Sequence, residues 1–248
     1  MGSFARRGLG NPSPCEGGRA SPRLGRSPVA MARFGRVAAP GCAYHVTHRG
    51  NRRGDVFLRE EDREVYRSRL LEYSERFGLE IWAYCWMSNH VHLLVSAQRP
   101  DSLARAIGNS HRSYAQYLNR CQNWSGHLWA NRFYSTPLDS WHLFQAVRYV
   151  ELNPVRVGLV SEAESYPWSS ASAHTRGSHD PLLSPRRPFP GAIRDWSAWL
   201  RQGLEPEQIE ILRTNTSTGR PSGSPEFVLE LEKALGRRLR PRSPRGTG

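Results

Sequence analysis

The sequence lacks the features of a membrane-spanning protein and those of a disulfide-stabilised secreted protein. No apolar run approaches the ~20 residues that a membrane helix requires, and residues 1–30 contain no apolar core typical of a signal peptide. Cysteine is scarce: the chain has four, which lie far apart in the sequence, and none forms a Cys-x-x-Cys pair. Reduced thiols are therefore expected. We expect a soluble, cytoplasmic protein that makes no membrane contact.

Lysine is nearly absent, since arginine supplies 34 of the 35 basic side chains. The net charge of +13 favours polyanionic partners, with nucleic acid first among them. Much of the excess lies at the ends: residues 1–36 carry seven Arg and one Glu, and residues 236–248 carry five Arg and no acid. A binding surface in the central part must therefore come from a local cluster such as Arg49, Arg52 and Arg53.

The order of the predicted elements indicates an α+β fold. Residue patterns predict strands at 44–49, 79–87 and 90–96, an extended segment at 128–138, and helices at 59–77, 101–121 and 140–152. Strands 79–87 and 90–96 should form a hairpin. We expect the helices to pack on one face of a mainly antiparallel sheet.

Composition divides the chain into five expected segments. Residues 1–32 are expected to be a disordered basic extension, and Met31 begins a segment more typical of a protein start. The other four are a folded domain at 33–175, for which the family resemblance described below implies a catalytic role, a linker at 176–203, a small helical module at 204–240 and a basic tail at 241–248. Within the module, Ser224 and Pro225 are typical of a helix start.

Two histidines on one predicted strand form the most specific chemical motif. Side chains alternate across a strand, so His90 and His92 share one face, while Val91, Leu93 and Val95 face a core. A single histidine is most often structural. A pair at this spacing presents two nitrogens a few ångströms apart, which is an arrangement that divalent metals use.

A tyrosine and two amides share one face of the predicted helix at 140–152. Tyr149 and Asn153 are four residues apart, and Gln145 lies one turn earlier. We expect these three side chains to face outward, with either amide supplying an oxygen ligand, and the opposite face to be buried through Phe144, Val147 and Val150. On the residues alone, a tyrosine at a core edge and an Asn-Pro helix stop explain the pattern equally well.

Four segments, in this order and spacing, resemble the single-tyrosine HUH transposases of the IS200 type, and in particular the REP-associated tyrosine transposases. The segments lie at 44–53, 87–94, 128–135 and 148–155, and the resemblance spans about residues 33–170. It implies a ferredoxin-like or RRM-like fold. The segment at 218–221 is similar to an extension found in longer members of that branch.

The resemblance also implies the roles of individual residues. His90 and His92 would be the metal ligands, Tyr149 the nucleophile and Asn153 the candidate third ligand, where IS200 transposases often carry Gln. The cofactor would be Mg²⁺ or Mn²⁺. Attack by the tyrosine on single-stranded DNA that carries a hairpin would give a 5′-phosphotyrosine and a free 3′-hydroxyl. The enzyme would act as a monomer or a homodimer.

The sequence also suggests which arginines contact the DNA, and it leaves several alternative functions and nucleophiles undecided. Phosphate contacts are expected from Arg49, Arg52, Arg53 and Arg132. Rival functions are a relaxase or replication initiator, an inactive nucleic-acid-binding regulator, and a zinc-stabilised module. Rival nucleophiles are Tyr114 and Tyr117, rated below Tyr149. The odd spacing of His45 and His48 places them on opposite faces of their strand, and neither is assigned to the site.

Overall fold

The computed structural model of the protein describes residues 36–189 and 193–240. The extension expected at 1–32 and the tail expected at 241–248 lie outside these residues. None of the helices within the described ranges is long and apolar enough to cross a membrane.

A four-stranded antiparallel sheet forms the centre of the fold. Its order is β2-β3-β1-β4, and each neighbouring pair is antiparallel. The bounds are Ala43–Arg49 for β1, Leu79–Met87 for β2, His90–Ala97 for β3 and Tyr134–Leu138 for β4. The predicted hairpin of β2 and β3 and the α+β class are thereby confirmed. Only the last part of the predicted extended segment at 128–138 pairs as a strand.

Two long helices cover one face of the sheet. Helix α1 (Glu60–Phe77) ends at Gly78, whose φ of 63° is the left-handed conformation that glycine adopts easily. Helix α2 is Ser102–Gln122. Their apolar residues pack with Val91, Leu93 and Val95 of β3 in one buried cluster. The predicted core face of the histidine strand is confirmed.

A third helix covers the opposite face, so the expectation that all helices pack on one face is wrong. Helix α3 (Ser140–Glu151) buries Leu143, Val147 and Val150 against a second cluster that includes Leu94. The reason lies mainly in β2, which is apolar on both faces, with Leu94 of β3 beside it. A strand with two apolar faces needs a covering layer on each side.

The remaining helices follow along the chain as α4 (Asn153–Arg156), α5 (Ala171–Arg176), α6 (Trp196–Arg201), α7 (Pro206–Thr218) and α8 (Pro225–Leu235). Short 3₁₀ turns lie at Asn51–Arg53 and Ala163–Ser165. The expected linker 176–203 contains α6 and buries Leu182, Leu183, Phe189 and Trp196. Helix α7 contacts the sheet edge, where Thr136 donates to the carbonyl of Asn215 at 3.1 Å. The division into domains stays a prediction.

Two buried histidines on the α1–α2 side of the sheet make stability depend on pH. His48 and His111 join through their Nδ1 atoms at 2.7 Å, and the Nε2 of His111 contacts the hydroxyl of Tyr66 at 2.9 Å. Burial lowers the pKa of His48 to about 4 and that of His111 well below its ordinary value of 6.5. Both side chains are therefore neutral in the folded protein at neutral pH.

The free energy of unfolding should fall as pH drops from about 6.5 towards 4. In that window the unfolded chain binds protons on these histidines and the folded chain does not, which costs on the order of 2 kcal/mol for one such group. Urea unfolding at a series of pH values measures the slope. The variant His48→Gln should flatten it, and His127→Gln, at an exposed histidine, should leave it unchanged. Equal slopes in His48→Gln and the wild type would contradict this origin.

Candidate active site

Three histidines meet on the α3 side of the sheet. In the antiparallel register Thr47 pairs with His92 and His45 pairs with Leu94, so His45 and His92 are diagonal neighbours on one face. Their rings stack at 5.2 Å between centroids with 11° between planes. The ring of His90 meets that of His92 edge-on at 4.9 Å. The structure thus brings His90 and His92 together, as the sequence predicts, and adds His45.

Hydrogen bonds through Nδ1 orient both predicted metal ligands. The Nδ1 of His92 contacts the Nε2 of His45 at 2.9 Å, and the Nδ1 of His90 contacts the Oδ1 of Asn89 at 2.6 Å. Among the described residues, neither ligand uses its Nε2 in a hydrogen bond. A histidine held through one ring nitrogen and free at the other is the usual arrangement of a metal ligand.

Burial keeps these imidazoles neutral. It lowers the pKa of His45 and of His90 to about 4 and that of His92 well below its ordinary value, and nearby arginines act in the same direction. A neutral imidazole offers the lone pair that a metal requires. The two side chains therefore fit a divalent metal in both orientation and charge.

The hydrogen bonds form a chain that ends on α7. If Nε2 of His92 is kept as an acceptor, its Nδ1 carries the proton and donates to Nε2 of His45. The Nδ1 of His45 then donates to the Oγ1 of Thr216 at 3.0 Å. The C-terminal part of the chain thereby contacts a histidine in the predicted catalytic domain through a side chain that can accept this proton.

Tyr149 lies against this cluster, buried with only 7% of its surface exposed. Its ring meets His92 edge-on at 5.7 Å and His45 at 6.0 Å between centroids. Asn153 is also buried, so the expectation that both side chains face outward is wrong. The reason is the second covering layer: the tyrosine face of α3 lies on the histidine face of the sheet.

Arg156 is a site residue that the sequence interpretation missed. Its guanidinium carbon lies 4.1 Å from the centre of the Tyr149 ring. It donates to the carbonyl of Tyr149 at 2.6 Å and to Oδ1 of Asn153 at 3.0 Å. Burial lowers the pKa of Arg156. Its position three residues after Asn153 and seven after Tyr149 is the helical signal that would have revealed it.

Two amides compete for the position of third ligand. The Oδ1 of Asn153 accepts from Arg156, and its Nδ2 is buried with no hydrogen-bond partner among the described residues. The Oε1 of Gln145 is likewise buried and without such a partner. A buried carbonyl oxygen without a partner is costly, and a metal bound to Oε1 of Gln145 would remove that cost. The unpaired atom of Asn153 is an NH₂ donor, which a metal does not bind, so Asn153 would have to share its Oδ1 between the metal and Arg156.

The arginines predicted to contact DNA are exposed and lie outside the buried cluster of His45, His90, His92 and Tyr149. Arg49 is exposed at the end of β1, directly opposite His90 in the sheet register. Arg52 and Arg53 are exposed on the 3₁₀ turn with φ of 53° and 63°. Arg132 is exposed in a neighbouring loop, which is tied to this turn because the amide of Ala130 donates to the carbonyl of Arg49 at 2.8 Å.

The rival residues lie elsewhere. Tyr114 donates to the carbonyl of Val56 and Tyr117 to Asp62, both on the α1–α2 side of the sheet. Within residues 36–189 and 193–240, no group of three or more His, Cys, Asp or Glu side chains is placed to hold a metal. The described residues therefore give no support to a zinc module built with Cys85 or Cys121.

Residues 38–153 match the model of a family described as "Transposase IS200 like". The segment begins just before β1, ends at Asn153 and contains His90, His92 and Tyr149. The matched segment is just under half of the chain, and the chain is similar to this family over that segment.

Solved structures of low similarity accompany this match. One is a REP-associated tyrosine transposase bound to a REP hairpin, with 18% identity, a TM-score of 0.49, and coverage of 62% of this chain and 92% of that one. Another is a candidate transposase from Deinococcus radiodurans R1, with 25% identity, a TM-score of 0.35, and coverage of 48% and 96% respectively. No curated protein matches the chain.

Under the predicted role of Tyr149 as nucleophile, loss of the Arg156 side chain should impair DNA cleavage more than folding. Arg156→Met removes the contacts that hold Tyr149 and Asn153 together, and a misplaced reacting group typically costs tenfold or more in rate. We expect kcat for DNA cleavage to fall at least about tenfold with KM nearly unchanged, measured under single-turnover and steady-state conditions.

Arg148→Met is the matched control for this change. Arg148 also stacks on an aromatic ring, Trp199, at 4.3 Å and donates to a backbone carbonyl, that of Gly203, at 2.9 Å. It makes neither of the Arg156 contacts described above. Equal losses of kcat in the two variants, at similar thermal stability, would assign Arg156 a structural role only.

Proposed function

We propose that the protein is a metal-dependent DNA strand transferase that cleaves and rejoins hairpin-bearing single-stranded DNA through a 5′-phosphotyrosine on Tyr149. The observation that carries the proposal is the contact of the Tyr149 ring with His92, 5.7 Å between centroids, within the segment that matches the model of the IS200-like transposases. The hairpin and the REP-associated branch are inferred from the four sequence segments that resemble those enzymes.

The reaction exchanges one phosphodiester for another. The phenol oxygen of Tyr149 attacks the phosphorus, and the bond between phosphorus and the 3′ oxygen breaks. The phenol loses its proton, and the departing 3′ oxygen gains one to become a 3′-hydroxyl. Because the phosphotyrosine retains the ester bond, a 3′-hydroxyl of another strand can reverse the step without ATP. A phenol is ionised only to about one part in a thousand at neutral pH, so the site must assist it.

The ligands proposed for the metal are His90, His92 and Asn153, with Gln145 as the alternative third ligand. Mg²⁺ or Mn²⁺ bound there would polarise the scissile phosphate. Imidazole favours Mn²⁺ at equal concentration, while Mg²⁺ is the more abundant ion in cells. His45 and Thr216 hold the His92 ring, and Arg156 holds the Tyr149 backbone.

Exposed arginines supply the proposed strand contacts. Arg49 lies beside His90, and Arg52, Arg53 and Arg132 lie on the adjoining turn and loop. Such side chains neutralise phosphates, so affinity should fall with salt. We propose that the protein works in the cytoplasm, as a monomer or as a homodimer that exchanges its tyrosine helices.

A covalent adduct with DNA tests this function directly. The full chain is incubated with 5′-labelled and 3′-labelled single-stranded hairpin DNA and Mn²⁺, and the products are separated on denaturing gels. We expect only the 3′ label to migrate with the protein, because the 5′-phosphotyrosine joins the protein to the fragment downstream of the cut. Tyr149→Phe should abolish the adduct, and Tyr117→Phe should retain it because Tyr117 lies on the other side of the sheet. An adduct that persists in Tyr149→Phe, or in EDTA, would contradict the nucleophile or the metal role respectively.

The third ligand can be assigned by a metal titration. Asn153→Ala should raise the Mn²⁺ concentration for half-maximal cleavage by about tenfold or more, since loss of one donor commonly costs that much affinity. Gln145→Ala is the matched control on the same helix face. The reverse ranking would transfer the ligand role to Gln145.

The alternative is an inactive regulator that binds single-stranded DNA on the same fold. The observation in its favour is the burial of Tyr149 beneath Arg156, with 7% of the tyrosine exposed. DNA binding without any adduct, across several hairpins and with Mn²⁺ present, would favour the regulator.

A further inference from the structure

A cavity of about 440 Å³ lies on the α1–α2 side of the sheet, the face opposite Tyr149. One wall is α2, where Ala104, Gly108 and Ala115 leave room because their side chains are small. The other wall is the loop at 126–133. His48 and His111 line its floor, which places the cavity over the buried histidine pair rather than over the metal site.

Arginines on the cavity are not neutralised within the described part of the chain. Arg36, Arg112 and Arg132 line it, and no lining residue is acidic. None of the three arginines takes part in an ion pair of the described residues. Burial lowers the pKa of Arg36, and the nearby charge of Arg132 acts in the same direction. Uncompensated guanidinium groups around an open cleft attract an anion.

The walls combine flat rings with amide groups. Trp129 and Phe133 line the cavity, and the guanidinium of Arg36 lies 3.8 Å from the centre of the Phe133 ring. Gln116, Asn119 and Asn131 add donors and acceptors. Both rings are buried and already pack against protein groups, Trp129 against His48 and His111 and Phe133 against Arg36, so they shape the wall of the cavity. Bases can stack on guanidinium planes and pair through their edges with amides, whereas a free inorganic anion would use neither contact.

The arginine turn joins this cavity to the active site. Gly50 forms a β-bridge with Trp129, and the amide of Asn51 donates to the carbonyl of Leu128 at 2.8 Å. At the same turn Arg49 pairs across the sheet with His90. A strand that leaves the cavity can therefore follow exposed arginines to the metal ligands.

We propose that this cavity binds an unpaired nucleotide of the DNA substrate, with the base inside and the flanking phosphates on Arg112 and Arg132. The proposal rests on the proposed function, because it takes the ligand to be the same single strand that Tyr149 attacks. It assigns the cavity to binding and register of the strand, and none of its residues to the chemical step.

Filling the cavity provides the sharpest test. A Cβ added at Gly108 would meet open space, so the helix accepts a side chain there. Gly108→Leu should fill the cavity without destabilising α2, since leucine is a better helix former than glycine. Gly108→Ala is the matched control that adds one methyl group. Binding of a fluorescein-labelled oligothymidine of about ten nucleotides is measured by anisotropy on the full chain without metal.

We expect Gly108→Leu to weaken binding about tenfold or more, in the range of one lost stacked base, and Gly108→Ala to bind like the wild type. Arg112→Gln and Arg132→Gln should each reduce the slope of log affinity against log salt by about 0.7, the value for one phosphate contact on a single strand. Arg120→Gln removes the same charge from α2 outside the cavity and should leave the slope unchanged.

Wild-type affinity in Gly108→Leu at unchanged thermal stability would overturn the proposal. The proposal would also be overturned if the slope of log affinity against log salt were the same in Arg112→Gln, Arg132→Gln and Arg120→Gln. The assay needs no metal and no cleavage, so its outcome is separate from that of the adduct assay. An oligonucleotide bound in the cavity by a protein that forms no adduct would reject the tyrosine chemistry and retain the cavity.

Discussion

The pairing of β1 with β3 is the constraint on which the rest of the site depends. It sets His45 diagonally against His92, and their hydrogen bond of 2.9 Å fixes which nitrogen of His92 is free. A slip of one residue would turn every side chain of β1 to the other face. His45 would then lie among the apolar residues of α1 and α2, and His48 would leave its buried partner His111. The same register therefore supports the histidine site on one face and the buried core on the other.

The helix that carries Tyr149 is held by a second set of long-range contacts. Glu151, two residues after the tyrosine, is fully buried. Its carboxylate accepts from Ser170 and Trp196 and contacts Nδ1 of His174. A buried carboxylate with all its partners present is rigid, and loss of one partner is costly. The segments after residue 153 thus fix the end of α3, and Thr216 of α7 contacts His45.

Local periodicity explains how much of this could be predicted from the sequence. The alternation of side chains along β3 is sufficient to place His90 and His92 on the face opposite Val91. Gly78 likewise indicates where α1 ends. Periodicity shows which side chains share a face, but not which faces meet. The prediction places Tyr149 at the surface because its own helix gives no sign of which element packs on it, although the two apolar faces of β2 require a layer on each side. The partners of His45 lie 47 and 171 residues away, a separation that no pattern of neighbours encodes.

The central claim is that His90 and His92 offer two imidazole nitrogens to one divalent metal beside Tyr149. Pulsed electron paramagnetic resonance of the protein loaded with Mn²⁺ tests this most directly, because it detects ¹⁴N nuclei bound to the ion without any need for DNA or activity. The account predicts couplings from two imidazole nitrogens in the wild type and from one in His90→Ala or His92→Ala. A spectrum of oxygen ligands alone, unchanged in both variants, would contradict it.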